Sequence, residues 1–171
     1  MVVRLYGKQS RMTGKEYNQN VDTWADSAYR FARRCCNDEE RCRDAVQDAF
    51  ASLWEHRAEV ASDKGRQWLM SAVHNRLMSL LRHEQTALRV AESSPPPQQV
   101  EPDVGFDLRD AVERALLSLP PIQRECLQLC DVEGYHYKEI GNILSLSDQQ
   151  VQVYIFRARV ALRKKLKEYQ I

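Results

Sequence analysis

Three consecutive prolines, Pro95, Pro96 and Pro97, constrain this chain more than any other feature of it. Each ring removes a backbone donor and crowds the preceding turn, so neither a helix nor a central strand can continue through them. They lie in residues 91–107, AESSPPPQQVEPDVGFD, where four prolines and four acids accompany few groups that could be buried. That composition predicts an extended linker. A chain of 171 residues interrupted there has room for two small domains and none for a large enzyme core.

Charge gives no global direction, because 25 Lys and Arg oppose 24 Asp and Glu for a formal +1. The distribution is uneven: residues 1–21 carry +3, residues 22–90 balance, residues 91–107 carry −4 and residues 108–171 carry +2. Any electrostatic footprint is therefore local. The five cysteines are odd in number, and the sequence opens with no apolar run beyond Met1 to Val3. A membrane span needs about 20 apolar residues. The expectation is a cytoplasmic protein with reduced thiols and no direct membrane insertion.

Helical periodicity runs through both halves and predicts an all-α fold. The first twenty-one residues show no lasting period and read as a tail, with order expected from Thr23, a candidate N-cap with Asp26 three residues on. Trp24, Ala28, Phe31, Ala32 and Cys35 then recur at helical spacing, and Asn37 with Glu40 offers a second capping box. Cys42, Ala45, Val46, Ala49, Phe50, Leu53 and Trp54 form one apolar stripe, with both aromatics expected in the core. A third stripe runs through Leu69, Ala72, Val73, Leu77, Leu80 and Leu81.

In the second half Asp107 is a candidate cap for a helix with Ala111, Val112, Ala115 and Leu119 on its apolar side. Pro121 suits the first turn of the next helix. A short helix over Tyr137 to Leu144, a turn Ser145-Leu146-Ser147 without the usual glycine, and a long helix to Glu168 make a helix-turn-helix pattern. Ser147 with Gln150 is its capping box, and Val151, Tyr154, Ile155, Ala158, Leu162 and Leu166 are its stripe. The predicted organisation is a tail over 1–21, helical domains over 22–86 and 107–171, and a linker over 87–106.

No phosphate-cradling glycine loop and no zinc-protease motif is present, so neither catalysis nor a cofactor nor a metal is expected. Cys126 and Cys130 would share a helix face with His136 six residues on, a conceivable redox or metal sensor. Cys also behaves as a small hydrophobe, and packing is the better reading of both, as of Cys35, Cys36 and Cys42, although Cys36 could be exposed. The stronger signal is in the last helix, where Arg157, Arg159, Arg163, Lys164, Lys165 and Lys167 follow one another without an acid. Bases at a helix C-terminus also arise from dipole compensation. Behind a helix-turn-helix, however, they could hold phosphates while Gln149, Gln150, Gln152 and Val153 enter a major groove. In the first half, Trp68, His74, Asn75, Arg76, Ser79, Arg82 and His83 give the third helix a polar, weakly basic side that suits stacking on single-stranded DNA. A buried Trp68 beside merely solvated neighbours fits the composition as well.

Two stretches resemble the group 4, extracytoplasmic-function, sigma factors of bacterial RNA polymerase. DAVQDAFASLW (Asp44 to Trp54) and WLMSAVHNRLMSLLR (Trp68 to Arg82) are similar to that family's region 2 motifs. LLSLPPIQRECLQL (Leu116 to Leu129) and GYHYKEIGNILSLSDQQVQVYIFRARVALRKKL are similar to its region 4. The resemblance implies a non-catalytic sigma subunit. Asp44, Gln47 and Asp48 would dock on the clamp helices of the largest polymerase subunit, whose flap is a further partner. Trp68, Asn75, Arg76, Ser79, Arg82 and His83 would meet the melted minus-ten element, with the loop Ala58 to Arg66 holding a flipped base. Gln149, Gln150, Gln152, Val153, Arg157 and Arg159 would meet the minus-thirty-five element, and an anti-sigma protein is an implied partner. Ser79, Ala72, Ser145, His136, Gly141 and the run Gln149 to Tyr154 depart from the family pattern. The competing readings are a polymerase-independent helix-turn-helix regulator and a decoy that binds polymerase or an anti-sigma protein.

Overall fold

The computed structural model describes residues 11–90 and 108–168, with side chains over 11–83 and 111–167. The predicted linker between the two halves and the cap at Asp107 lie outside the described residues. Among the described residues the regular structure is helical, apart from one isolated bridge between Arg11 and Ala61. The chain divides into two compact units, Met1–Arg76 and Leu77–Ile171.

Helix α1 spans Gly14–Cys35, so order begins well before Thr23. Its start is fixed by a capping box: Glu16 N–H donates to Thr13 Oγ1 at 3.2 Å, and Thr13 N–H donates to Glu16 Oε2 at 2.7 Å. Those contacts hold the Glu16 carboxyl below its ordinary range. Thr23 is no cap, and its hydroxyl donates to the Gln19 carbonyl inside the helix. Periodicity missed these turns because they are held by a few specific contacts rather than by a stripe. Met12 is buried and its N–H donates to the Val60 carbonyl, while Tyr17 donates its hydroxyl to the Phe50 carbonyl.

Helix α2 spans Glu39–His56. Its cap is Asp38, one residue after the expected Asn37, and the Asp38 carboxylate accepts from Arg41 N–H at 3.1 Å. Ala28, Phe31 and Ala32 of α1 and Cys42, Ala45, Val46, Ala49, Phe50 and Leu53 of α2 are buried, and the two helices pack together. Trp54 departs from expectation, being 42% exposed. At 100° per residue it lies just beyond Leu53 at the edge of the stripe. There Tyr17 meets it edge-on at 5.0 Å and the Arg57 guanidinium sits 3.8 Å over its ring. A short 3-10 turn, Ser62–Lys64, leads into α3, Gly65–Val90, which ends four residues beyond the predicted boundary at 86. Leu69, Met70, Val73 and Leu77 are its buried residues, together with His74, whose ring lies 6.5 Å from Phe31. His74 therefore does not belong to the polar side of this helix.

The second unit is organised around its last helix. Helices α4 (Leu108–Leu117), α5 (Pro121–Leu127) and α6 (Tyr137–Leu144) all pack on α7 (Asp148–Glu168). Val151, Ile155 and Ala158 of α7 are buried, as are Ala111, Ala115, Leu119, Ile140 and Ile143, whereas Val112 is exposed at the edge of its stripe. Pro121 occupies the first turn of α5 as expected. Between α5 and α6 lies a π-helical segment, Gln128–Val132, which no sequence period announces. Gly134, at φ 74°, then ends it.

Candidate nucleic-acid and polymerase interfaces

The helix-turn-helix is assembled by its turn. Ser145 takes the left-handed conformation, φ 57° and ψ 45°, at the position where glycine is usual. The Leu146 N–H then donates to the Gly141 carbonyl at 2.9 Å. A Cβ on residue 141 would lie 2.6 Å from the Leu146 carbonyl oxygen, so this close turn requires glycine there. The following cap is reciprocal: Gln150 N–H donates to Ser147 Oγ at 3.2 Å and Ser147 N–H donates to Gln150 Oε1 at 2.9 Å.

That cap separates Gln150 from its neighbours. Gln149, Gln150, Gln152, Val153, Arg157 and Arg159 are all exposed. The amide oxygen of Gln150 is nevertheless occupied within its own helix, while Gln149 and Gln152 stand three residues apart on the outward face. Arg159 is also engaged: its Nε and terminal nitrogen reach the two Asp131 oxygens at 3.2 and 2.5 Å. This fork raises the guanidinium pKa and lowers that of the Asp131 carboxyl. The outward face carries apolar groups that composition did not single out, Phe156 at 68% exposure, Val160 at 49% and Tyr137 of α6 at 37%. The spacing of Val153, Phe156 and Val160, i, i+3 and i+7, was the signal for a second stripe opposite the buried one.

On α2, Asp44, Gln47 and Asp48 are exposed on one polar face. Asp48 pairs with Arg76 of α3 at 2.8 Å, so one predicted polymerase contact touches one predicted DNA contact. On α3, Trp68, Asn75, Ser79 and Arg82 recur at i, i+7, i+11 and i+14 and share a face, with Arg76 and His83 on its flanks. Trp68 and Ser79 are half-buried, and Asn75, Arg76, Arg82 and His83 are exposed. The Trp68 ring lies 5.9 Å from that of His56.

Three of the thiols, Cys42, Cys126 and Cys130, are held protonated and are poor nucleophiles. All five are free. Burial, followed by the adjacent Glu125 and Cys130, pushes Cys126 up to about 12, and burial also raises Cys130. Cys42 is pushed up to about 11, mainly by burial, and donates to the Cys36 carbonyl. Cys36 is itself buried rather than exposed. Among the described residues no helix is long and apolar enough to cross a membrane.

Comparison with known proteins places the chain in a family. Sigma-70 region 2 matches residues 21–86 and sigma-70 region 4 matches residues 109–162, together more than two thirds of the chain. The chain is 29% identical over 174 residues to the ECF RNA polymerase sigma factor SigE of Mycolicibacterium smegmatis, covering 95% of this chain but 65% of that protein. It is 22% identical to the ECF factor SigM of Bacillus subtilis, covering 82% of this chain and 88% of that one. Its fold is similar to that of the sigma factor RpoE of Bartonella quintana, solved in complex with the anti-sigma factor NepR, at a TM-score of 0.75, 22% identity and coverage of 90% and 98%. It is also similar to CnrH, solved with the cytosolic domain of CnrY, at a TM-score of 0.64, 24% identity and coverage of 91% and 90%. Two regions matched in order, on two helical units, make this chain a member of the extracytoplasmic-function, group 4, sigma factors of the sigma-70 family.

Proposed function

We propose that the chain is a non-catalytic sigma subunit that carries core RNA polymerase to promoters and holds the melted strand there. The observation that carries this reading is the match of both sigma regions to one chain whose α6–turn–α7 presents an exposed polar start of a helix. Asp44, Gln47 and Asp48 dock on the polymerase clamp, and the face of α3 with Trp68, Asn75, Ser79 and Arg82 binds the opened minus-ten strand by stacking and hydrogen bonding. The outward face of α7 lies in the major groove of the minus-thirty-five element. Arg157 is the nearest cation for its phosphates, since Arg159 is held by Asp131.

An anti-sigma protein is the proposed negative partner, on the ground that the similar RpoE of Bartonella quintana was solved with the anti-sigma factor NepR. Run-off transcription with purified core polymerase is the test: RNA must depend on this chain and start at one promoter. Asp48→Arg supplies the register control. Asp48 and Arg76 are about half exposed, so losing their pair costs at most about 1 kcal/mol of stability. The variant should keep its helicity and lose core affinity. Wild-type core binding by this variant would show that the polymerase face lies elsewhere.

A further inference from the structure

Residues 11–16 lie ahead of the first apolar stripe, yet they are built into the first unit. Met12 is 3% exposed, although Arg11 and Thr13 on either side of it are exposed. Its thioether accepts from Asn20 Nδ2 at 3.7 Å. Its terminal methyl occupies the space that a Cβ on residue 65 would fill, and the Trp24 ring lies 3.0 Å from the same point. Gly65 has ordinary helical angles, φ −56° and ψ −43°, at which alanine is the better helix former. Space for Met12, and not backbone freedom, is what glycine supplies at this position.

The loop between α2 and α3 receives these residues. Its own backbone hydrogen bonds close two turns: Glu59 and Val60 N–H donate to the His56 carbonyl, and Lys64 N–H donates to the Ala61 carbonyl. The joint between the turns is tied from outside. Met12 N–H donates to the Val60 carbonyl at 3.3 Å, and Arg11 forms its bridge with Ala61. A third tie comes from Glu16, whose Oε1 accepts from Ser62 Oγ at 3.4 Å while its Oε2 accepts from Thr13 N–H at 2.7 Å. One carboxylate therefore serves both the cap of α1 and the loop. Val60 is buried under these ties, whereas Ala58, Glu59, Asp63 and Lys64 are exposed.

Two short turns with few buried apolar groups do not fix each other's position. A loop that is ordered only on binding subtracts that ordering from its affinity, whereas one already held in the bound shape does not. Met12 and Glu16 supply such order from the α1 side. Methionine suits the place, because an unbranched, polarizable chain follows the irregular gap between Trp24 and Gly65.

We propose that residues 11–16 are a brace: through Val60, Ala61 and Ser62 they hold the loop Ala58 to Arg66 in the shape that receives one unstacked base of the opened strand. Met12 and Glu16 are positioning residues that act through the loop. The inference rests on the sigma reading above and adds which part of the chain sets the shape of the strand-binding loop.

The test measures binding of holoenzyme, full chain plus core polymerase, to the single minus-ten strand of the promoter found by run-off transcription, with one abasic site placed at each position in turn. The wild type should lose about tenfold where the missing base is the one the loop receives. Met12→Ala should bind the intact strand about tenfold more weakly and lose almost nothing further at that one position, while keeping its losses at the others and its affinity for core. Met12→Leu, which refills the space over Gly65, should restore the wild-type scan. Ser62→Ala removes one tie and leaves the Thr13 cap intact, so it should show the same single-position effect at about threefold. Its scan decides the matter if Met12→Ala unfolds. A variant scan parallel to that of the wild type at every position, whatever the overall affinity, overturns the inference and leaves the sigma reading intact, as does a wild-type scan with no position of loss. Absence of core-dependent strand binding by the wild type overturns both.

Discussion

Single side chains divide here into those that hold the fold and those left at its surface. Phe31 and Leu53 are fully buried, so Phe31→Ala should cost about 3–5 kcal/mol and Leu53→Ala about 2–5 in urea denaturation. Trp54→Ala should cost less than either, since its ring is covered on only part of its surface by Tyr17 and Arg57. The sequence pattern made Trp54 core because periodicity ranks residues by angle, and an angle at the edge of a stripe does not say whether a neighbour covers it. The Cys126 thiol gives a second prediction. Burial pushes its pKa in the folded chain up to about 12, above the ordinary thiol value of 9.0. Below pH 9 the thiol is protonated in both states and favours neither. As pH rises from 9 to 12 the unfolded chain releases a proton that the folded chain keeps, so stability falls. Thermal melts across that window should show a shallower decline for Cys126→Ala than for wild type, and alkylation at pH 8 should reach half-buried Cys35 and Cys130 before Cys126.

At the scale of elements, the turn between α6 and α7 is held by three local devices: left-handed Ser145, the Ser147–Gln150 cap and the close approach at Gly141. Ser145 in the left-handed region carries about 1–2 kcal/mol of conformational cost that glycine would not. Ser145→Gly should therefore raise the melting temperature despite glycine's greater entropy when unfolded. Ser147→Ala, which removes an N-cap acceptor, should cost about 1 kcal/mol. Gly141→Ala should destabilise by forcing a methyl against the Leu146 carbonyl. The helix-turn-helix and the Ser147–Gln150 cap were legible because short polar motifs flank strong periods. The start of α1 at Gly14 was not, since it depends on Met12 meeting Val60 and Tyr17 meeting Phe50, contacts more than thirty residues apart in sequence. The π-helical segment is likewise invisible to a period of 3.6, although it carries Asp131, which takes Arg159 out of the set of free cations.

For the whole molecule, the near-neutral charge hides where attraction can act. With Arg159 paired and no base before Arg157 in α7, the full chain without polymerase should meet duplex DNA through two or three phosphate contacts. A salt titration should then give a slope of roughly 2 to 3 and weak binding. A slope several times steeper would mean that other basic residues contact the duplex. On the proposed sigma reading, docking on polymerase would present the same surface at a raised local concentration and compensate for a low intrinsic affinity. The family was legible in the sequence because two motifs occur in order. The individual contacts were less so, since pairing within the chain decides which exposed groups remain available to a partner.

Trp54 also provides a built-in position for a spectroscopic probe on α2. It is one of three tryptophans, it is the most exposed of them, and it follows Gln47 and Ala51 at i+7 and i+3 on α2. Its indole therefore borders the polar face assigned to the polymerase clamp, with the Arg57 cation stacked on it. A chain labelled with 5-fluorotryptophan would give three fluorine resonances. On the proposed reading the Trp54 line should shift as polymerase docks, while Trp24 and Trp68 report separately on α1 and α3.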